Sequence, residues 1–198
     1  MKKYLIGKRI SLHGLSSKDL EENAPYYDWL NDLSLDIFTE RSYFPNNMKR
    51  FLSYYDLSCE NSTLILLGIY DNELGKHIGN LTFQEIDWIN RRAFIAYMLG
   101  DKSFGGKGII TDAVLMAMYY GFKKLNFERI HGGVAGDHIA SKRICEKVGL
   151  IEEGTMRGHL LRGDKRYDIN IVGALRDEWL PKFSEKSIEL FDENFFLG

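Results

Sequence analysis

The chain has 198 residues, is 44% hydrophobic and 27% charged, and carries a formal net charge of −2. That balance excludes a disordered chain and gives no electrostatic pull toward nucleic acid or an anionic membrane. Cys59 and Cys145 are the only cysteines and no apolar run is of spanning or signal-peptide length, so the expectation is one cytoplasmic domain over residues 1–198, without disulfide framework or metal.

Ile10 and Leu12 alternate with polar neighbours and predict a short first strand. From Ser17 to Leu33, the residues Leu20, Ala24, Tyr27, Leu30 and Leu33 recur at helical spacing. Pro45-Asn46-Asn47 reads as a second helix start, with Met48, Phe51, Leu52 and Tyr55 as its buried stripe. Thr63–Tyr70, Ile78–Glu85 and Ala93–Leu99 are rich in apolar, β-branched and aromatic residues, and turn-like breaks separate them into an antiparallel meander. After a glycine cluster, Ile110, Ala113, Val114, Ala117, Met118, Gly121 and Leu125 share one face of a strong helix. Asp112 in its first turn and Lys123 and Lys124 in its last complement the helix dipole.

Arg129–Ala135 predicts another strand. Asp137 is the expected N-cap of a helix with Ala140, Ile144 and Val148 inward, and Gly149 suits its end. Strands over 154–161 and 167–175 flank the turn Arg162–Lys165, and a final helix follows Arg176. The order βααβββαβαββ predicts an α/β (α+β) fold, with helices around a mostly antiparallel sheet.

The segment Gly105-Gly106-Lys107-Gly108-Ile109-Ile110-Thr111 stands between a strand and the start of the strong helix. Glycines let backbone approach a ligand closely, and the free N–H groups of a helix start favour an anion such as a pyrophosphate. Two nucleotide motifs fail on this loop. The dinucleotide fingerprint needs glycine at Thr111, and the P-loop needs glycine at Asp101 and a hydroxyl residue at Gly108. A nucleotide-binding protein is therefore the disfavoured reading, and a turn using glycine for geometry alone is the plain alternative.

Gly105–Ala113, following Ala93–Leu99, resembles the acyl-CoA motif of the GNAT acetyltransferase superfamily. Ala140–Leu150 looks like that superfamily's next helix and strand, and Glu153–Arg157 with Gly163 and Asp168 is similar to its RimJ/RimL branch. The resemblance implies a sheet whose central strands splay, with helices on both faces. It also implies acetyl-CoA as cosubstrate, and it leaves a homodimer open. By the resemblance, Met98, Leu99 and Gly100 face the pantetheine arm, while Gly105, Gly106, Lys107, Gly108, Ile109, Ile110 and Thr111 hold the pyrophosphate. His138 and Ser141 take the Asn-x-x-Ser positions along the arm, and Lys142 and Lys147 stand near its phosphates or are solvated helix charges. The sequence departs from the family at Ser103, Asp112 and His138. It departs most at Cys145, where the family often has a tyrosine acid.

Acetyl transfer to an amine needs a neutral nucleophile, a stabilised oxyanion and a thiolate able to leave. An alkyl amine of pKa near about 10 must first lose a proton. Glu85, at the end of its strand, is the candidate base, against a plain reading as a solvated carboxylate. Asp87 and Asp168 are weaker ones. Ser141 and Cys145 are the candidates at the acid position, although a thiolate of pKa near roughly 8.5 needs little help. Tyr26, Tyr27, Trp29, Tyr43 and Phe44 are core or acceptor-pocket rings. The acceptor stays open between an amino-sugar nucleotide, a polyamine and a protein N-terminus. The alternative to an enzyme is a non-catalytic acyl-CoA sensor.

Overall fold

The computed structural model describes residues 4–32, 34–35, 46–60 and 62–193. Leu33 and the stretch Arg41–Pro45, with Tyr43 and Phe44, lie outside the described residues. In chain order the elements are β1 (Leu5–Ile6), β2 (Ile10–His13), α1 (Pro25–Asn31), α2 (Met48–Glu60), β3 (Ile65–Asp71), β4 (Lys76–Asp87) and β5 (Arg92–Leu99). Then follow α3 (Ile109–Lys123), β6 (Arg129–Ala135), α4 (Ile139–Val148), β7 (Ile151–Arg162), β8 (Lys165–Leu175) and α5 (Arg176–Ile188).

The eight strands form one sheet in the order β1-β2-β3-β4-β5-β6-β8-β7. Every neighbouring pair is antiparallel except β5 with β6. On β3, alternation sends Leu67 and Ile69 into the main core and Leu66 into a smaller cluster with Leu15, Tyr26, Trp29 and Phe51. The small cluster seats α1 and α2 on one face, and the main core seats α3, α4 and α5 on the other. Helix α3 is buried from Ile109 to Phe122 apart from Thr111 and Asp112, so it is apolar almost all round rather than along one stripe.

The structure corrects several sequence expectations. Leu52 and Ala140, expected to face inward, are exposed, and Leu125 lies beyond α3, which ends at Lys123. The helix foreseen over Ser17–Leu33 is a 3₁₀ turn at Ser17–Leu20 followed by the separate helix α1. Pro25 is the reason: it lacks an N–H, holds Ala24 extended at φ −76° and ψ 139°, and suits a first helical position. Strand β1 was not foreseen, because two residues carry no readable period. Strand β7 starts at Ile151 rather than at Gly154. The N-cap of α4 is His138 rather than Asp137, since the His138 ring accepts the Ser141 N–H at 3.3 Å. Gly149 does end α4, at φ +78°, and donates its N–H back to Cys145 and Glu146.

Candidate active site

Strands β5 and β6 pair only at Arg92–Arg129, Ala93–Ile130 and Phe94–His131. Beyond that point β5 stays bonded to β4 as far as Leu99, and β6 stays bonded to β8 as far as Ala135. The two strands therefore part, leaving a V-shaped seam lined by backbone that has no strand partner across it. Along a strand, successive residues turn their N–H groups to opposite neighbours, so one of Met98 and Leu99 offers its N–H to the seam.

The seam opens into a cavity of about 840 Å³. On the side of α3 and α4 its wall includes Tyr97, Ile110, His138, Ser141, Ile144 and Cys145. On the side of α1 and α2 it includes Tyr26, Trp29, Arg50, Tyr54 and the β4 row Asn80, Thr82 and Gln84. The cavity thus passes through the sheet from one helical layer to the other. Asn80 is 5% exposed, and its amide oxygen accepts from His77 Nε2 at 3.1 Å. Its amide nitrogen has no hydrogen-bond partner among the described residues.

The glycine loop leads from the end of β5 into α3. Asp101 shapes its start by accepting from the Ser103 N–H at 3.0 Å, and Lys102–Phe104 make a 3₁₀ turn. Gly106 and Gly108 adopt φ +74° and +79°, the left-handed region that favours glycine, and Gly108 is the N-cap of α3. A side chain added at either would meet nothing within 4 Å, so both backbones face open space. The first bond of the helix ladder runs from the Asp112 N–H to the Gly108 carbonyl at 3.0 Å, leaving the N–H groups of Ile109, Ile110 and Thr111 ahead of it. Arg9 braces this end. It donates to the Lys107 carbonyl and to the Asp112 carboxylate, both at 3.0 Å. Burial raises the Asp112 pKa, against the pull of Arg9. Arg9 lies about a hundred positions upstream, and no local pattern marks it.

His138 explains how its position tolerates the loss of asparagine. Its Nδ1 accepts the Ser141 N–H as an asparagine oxygen would, which requires that nitrogen to be unprotonated. Burial lowers the His138 pKa and so favours that form. Burial also holds His77 and His131 below the ordinary histidine value. The unfolded chain then binds more protons than the folded one below about pH 6.5, and stability is lost as pH falls. The expected result is a melting temperature that drops between about pH 7 and pH 5, with a shallower slope in His77→Gln. Melts that stay flat over that span would contradict the neutral histidines.

The remaining candidates separate into wall and periphery. Ser141 lines the cavity, and so does Cys145, which is 4% exposed and has its thiol pKa raised by burial. Tyr97, which the sequence reading did not single out, places its hydroxyl 3.0 Å from Ser141 Oγ and 4.0 Å from Cys145 Sγ. The signal for it is a tyrosine at a core-facing position of β5, whose hydroxyl must find a partner. Glu85 stands elsewhere than expected. Pairing with β5 slips between Gln84 and Asp87, Glu85 takes φ +52°, and its exposed side chain leaves the wall to Gln84. Asp87 accepts from Asn90 and Ile89 in the next turn, and Asp168 accepts from the Gly158 N–H at 2.7 Å, both structural uses. Lys142 and Lys147 do not line the cavity, and Lys147 is exposed. Among the described residues no three His, Cys, Asp or Glu gather as a metal site.

An open seam beside a helix start with free N–H groups has the form of a site for an extended ligand that carries a phosphate group. The comparisons agree. The family model described as acetyltransferase (GNAT) domain matches residues 9–151, and the chain belongs to that family as an N-acetyltransferase of GNAT type. It is 32% identical over 158 residues to the probable N-acetyltransferase YjcK of Bacillus subtilis, covering 77% of this chain and 86% of that one. It is 32% identical over 111 residues to the putative ribosomal N-acetyltransferase YdaF of the same organism, covering 56% of this chain and 58% of that one. A crystal structure of spermidine N-acetyltransferase from Vibrio cholerae, in complex with CoA and spermine, has the same fold. Its TM-score is 0.77 at 20% identity, over 87% of this chain and 98% of that one. No described helix is long and apolar enough to cross a membrane.

Proposed function

We propose that this chain transfers the acetyl group of acetyl-CoA to a primary amine by direct attack in a ternary complex. The observation that carries the reading is the seam between β5 and β6, which leads from the glycine loop to a cavity open toward both helical layers. The pantetheine arm would lie in the seam against Met98, Leu99 and Gly100, with the pyrophosphate at the loop from Gly105 to Gly108 and the first turn of α3. Bound there, the thioester supplies an activated carbonyl. A β5 backbone N–H turned to the seam is placed to receive the negative charge that grows on its oxygen. Glu85 is exposed and outside the described wall, and in this reading water carries the amine's proton away.

The acceptor approaches from the side of α1 and α2. There the row Asn80, Thr82 and Gln84 presents neutral hydrogen-bonding groups beside the rings of Tyr26, Trp29 and Tyr54. Rings over a neutral polar row suit a hydroxyl-bearing amine such as an amino sugar, whose hydroxyls exchange hydrogen bonds with amides while the C–H face of its ring packs on aromatic faces. Turnover is tested by following free thiol with acetyl-CoA and a panel of amino-sugar nucleotides, spermidine and peptides starting with Ala or Ser. Faster turnover of spermidine would overturn the acceptor assignment and leave acetyl transfer intact. Binding without turnover on any amine would favour an acyl-CoA sensor.

Binding itself gives a separate expectation. Coenzyme A at a hundred times its dissociation constant should add about 2.7 kcal/mol to folding stability. For a chain of this size that is a rise of roughly 5–10 °C in melting temperature. ATP and NAD should give none. A shift with ATP and none with coenzyme A would sink the proposal.

A further inference from the structure

We propose that Tyr97 is a catalytic residue, whose hydroxyl donates a hydrogen bond to the departing sulfur from strand β5 instead of from helix α4. The inference rests on the acetyl-transfer reading and assigns a residue that the reading leaves without a role. Cys145 occupies the α4 position at which the family resemblance puts a tyrosine. A neutral thiol is a weak donor, and burial here raises its pKa further. The phenol of Tyr97 reaches the same place from the sheet, with its oxygen 4.0 Å from Cys145 Sγ. A small residue on the helix makes the room into which the strand tyrosine extends.

Ser141 fixes the phenol. The two hydroxyls are 3.0 Å apart, and Ser141 follows from the first turn of α4, whose start is set by the His138 cap. With Ser141 donating to the Tyr97 oxygen, the Tyr97 proton is left to point into the cavity, and the chain of two hydroxyls strengthens that second bond. Thr82, Tyr26 and Tyr54 also carry hydroxyls on the wall, but on the side of α1, α2 and the acceptor row. On the α4 side, the hydroxyl donors of the described wall are Tyr97 and Ser141.

The chemistry follows from relative acidities. The amine nitrogen bonds to the thioester carbon, the carbon–sulfur pair leaves on sulfur, and the amine's extra proton passes through water to neutralise the thiolate. A phenol shielded from water, with its pKa raised by burial, does not surrender its proton to a thiolate whose conjugate acid is near roughly 8.5. Tyr97 therefore stabilises sulfur by hydrogen bonding and ends the cycle unchanged. Charge-assisted bonds of this kind are the stronger class.

The test is Tyr97→Phe, read by calorimetry with coenzyme A and with desulfo-coenzyme A at a pH near 9, where the thiol is largely ionised. The unaltered chain should prefer coenzyme A, and the variant should lose about tenfold of that preference while keeping its desulfo-coenzyme A affinity. Its kcat should fall about ten- to hundredfold with the KM for the amine unchanged. Ser141→Ala should show a smaller part of both losses, and it carries the test if Tyr97→Phe melts below the assay temperature. An unchanged preference and kcat in the variants would overturn the role of Tyr97. An unaltered chain that binds neither ligand would overturn the acetyl-transfer reading itself, a result distinct from the first.

Discussion

Gly108→Val should weaken coenzyme A binding by at least about tenfold while the chain stays folded. The residue sits at φ +79° as the N-cap of α3, and a residue with a Cβ in that region costs roughly 1–2 kcal/mol, more when branched. The chain can relieve the strain by turning the Gly108 peptide, but the N–H groups that precede the α3 ladder then lose their common aim. If the loop holds its shape, the isopropyl group fills the space where nothing lies within 4 Å, which is where the proposed pyrophosphate would lie. Both outcomes lower affinity, because about 1.4 kcal/mol is a factor of ten. Calorimetric titration with coenzyme A measures the loss, and a thermal melt checks the fold. An affinity equal to that of the unaltered chain would place the pyrophosphate elsewhere.

Trp179→Ala should be the most destabilising single truncation. Trp179 is 2% exposed and lies against Phe122 and Phe183, with ring centroids 5.3 and 5.4 Å away. Its Nε1–H donates to the Val148 carbonyl at 2.7 Å, satisfying one of the acceptors that a helix end leaves open on α4. Removing so large a buried ring costs about 3–5 kcal/mol, or a fall of roughly 6–20 °C in melting temperature. Trp179→Phe should recover part of the packing and none of the hydrogen bond. A fall of only a degree or two in Trp179→Ala would mean that α5 contributes little to the main core.

The meander β3–β5 and helix α3 were legible because long one-sided or fully buried elements write a period of two or a dense apolar run into the sequence. The break at Pro25 was present in the sequence too, but the helical spacing of Leu20, Ala24 and Tyr27 continued across it and masked it. Phase was harder than existence. In a regular strand Glu85 would fall beside Leu81 and Phe83. The bulge after Gln84 gives that place to Ile86 and turns Glu85 outward. The glycine loop could be read as a candidate anion site, since its residues are contiguous. Arg9 and Tyr97 did not, because their partners stand 98–103 and 44–48 positions away and only the folded sheet brings them together.

The three-residue joint between β5 and β6 divides the sheet into two rafts, β1–β5 and β6-β8-β7, laced together at one end only. A ligand lying in the seam would act as a temporary ninth strand, closing the far end with its own amides. The donor would then be both reactant and fastening. Amide exchange should slow at Ile95–Leu99 and Gly132–Ala135 when the seam is filled, and change little at Arg92–Phe94, where the lacing is already protein. Release of the spent donor would loosen the joint again, so each catalytic cycle would tighten and relax the middle of the sheet.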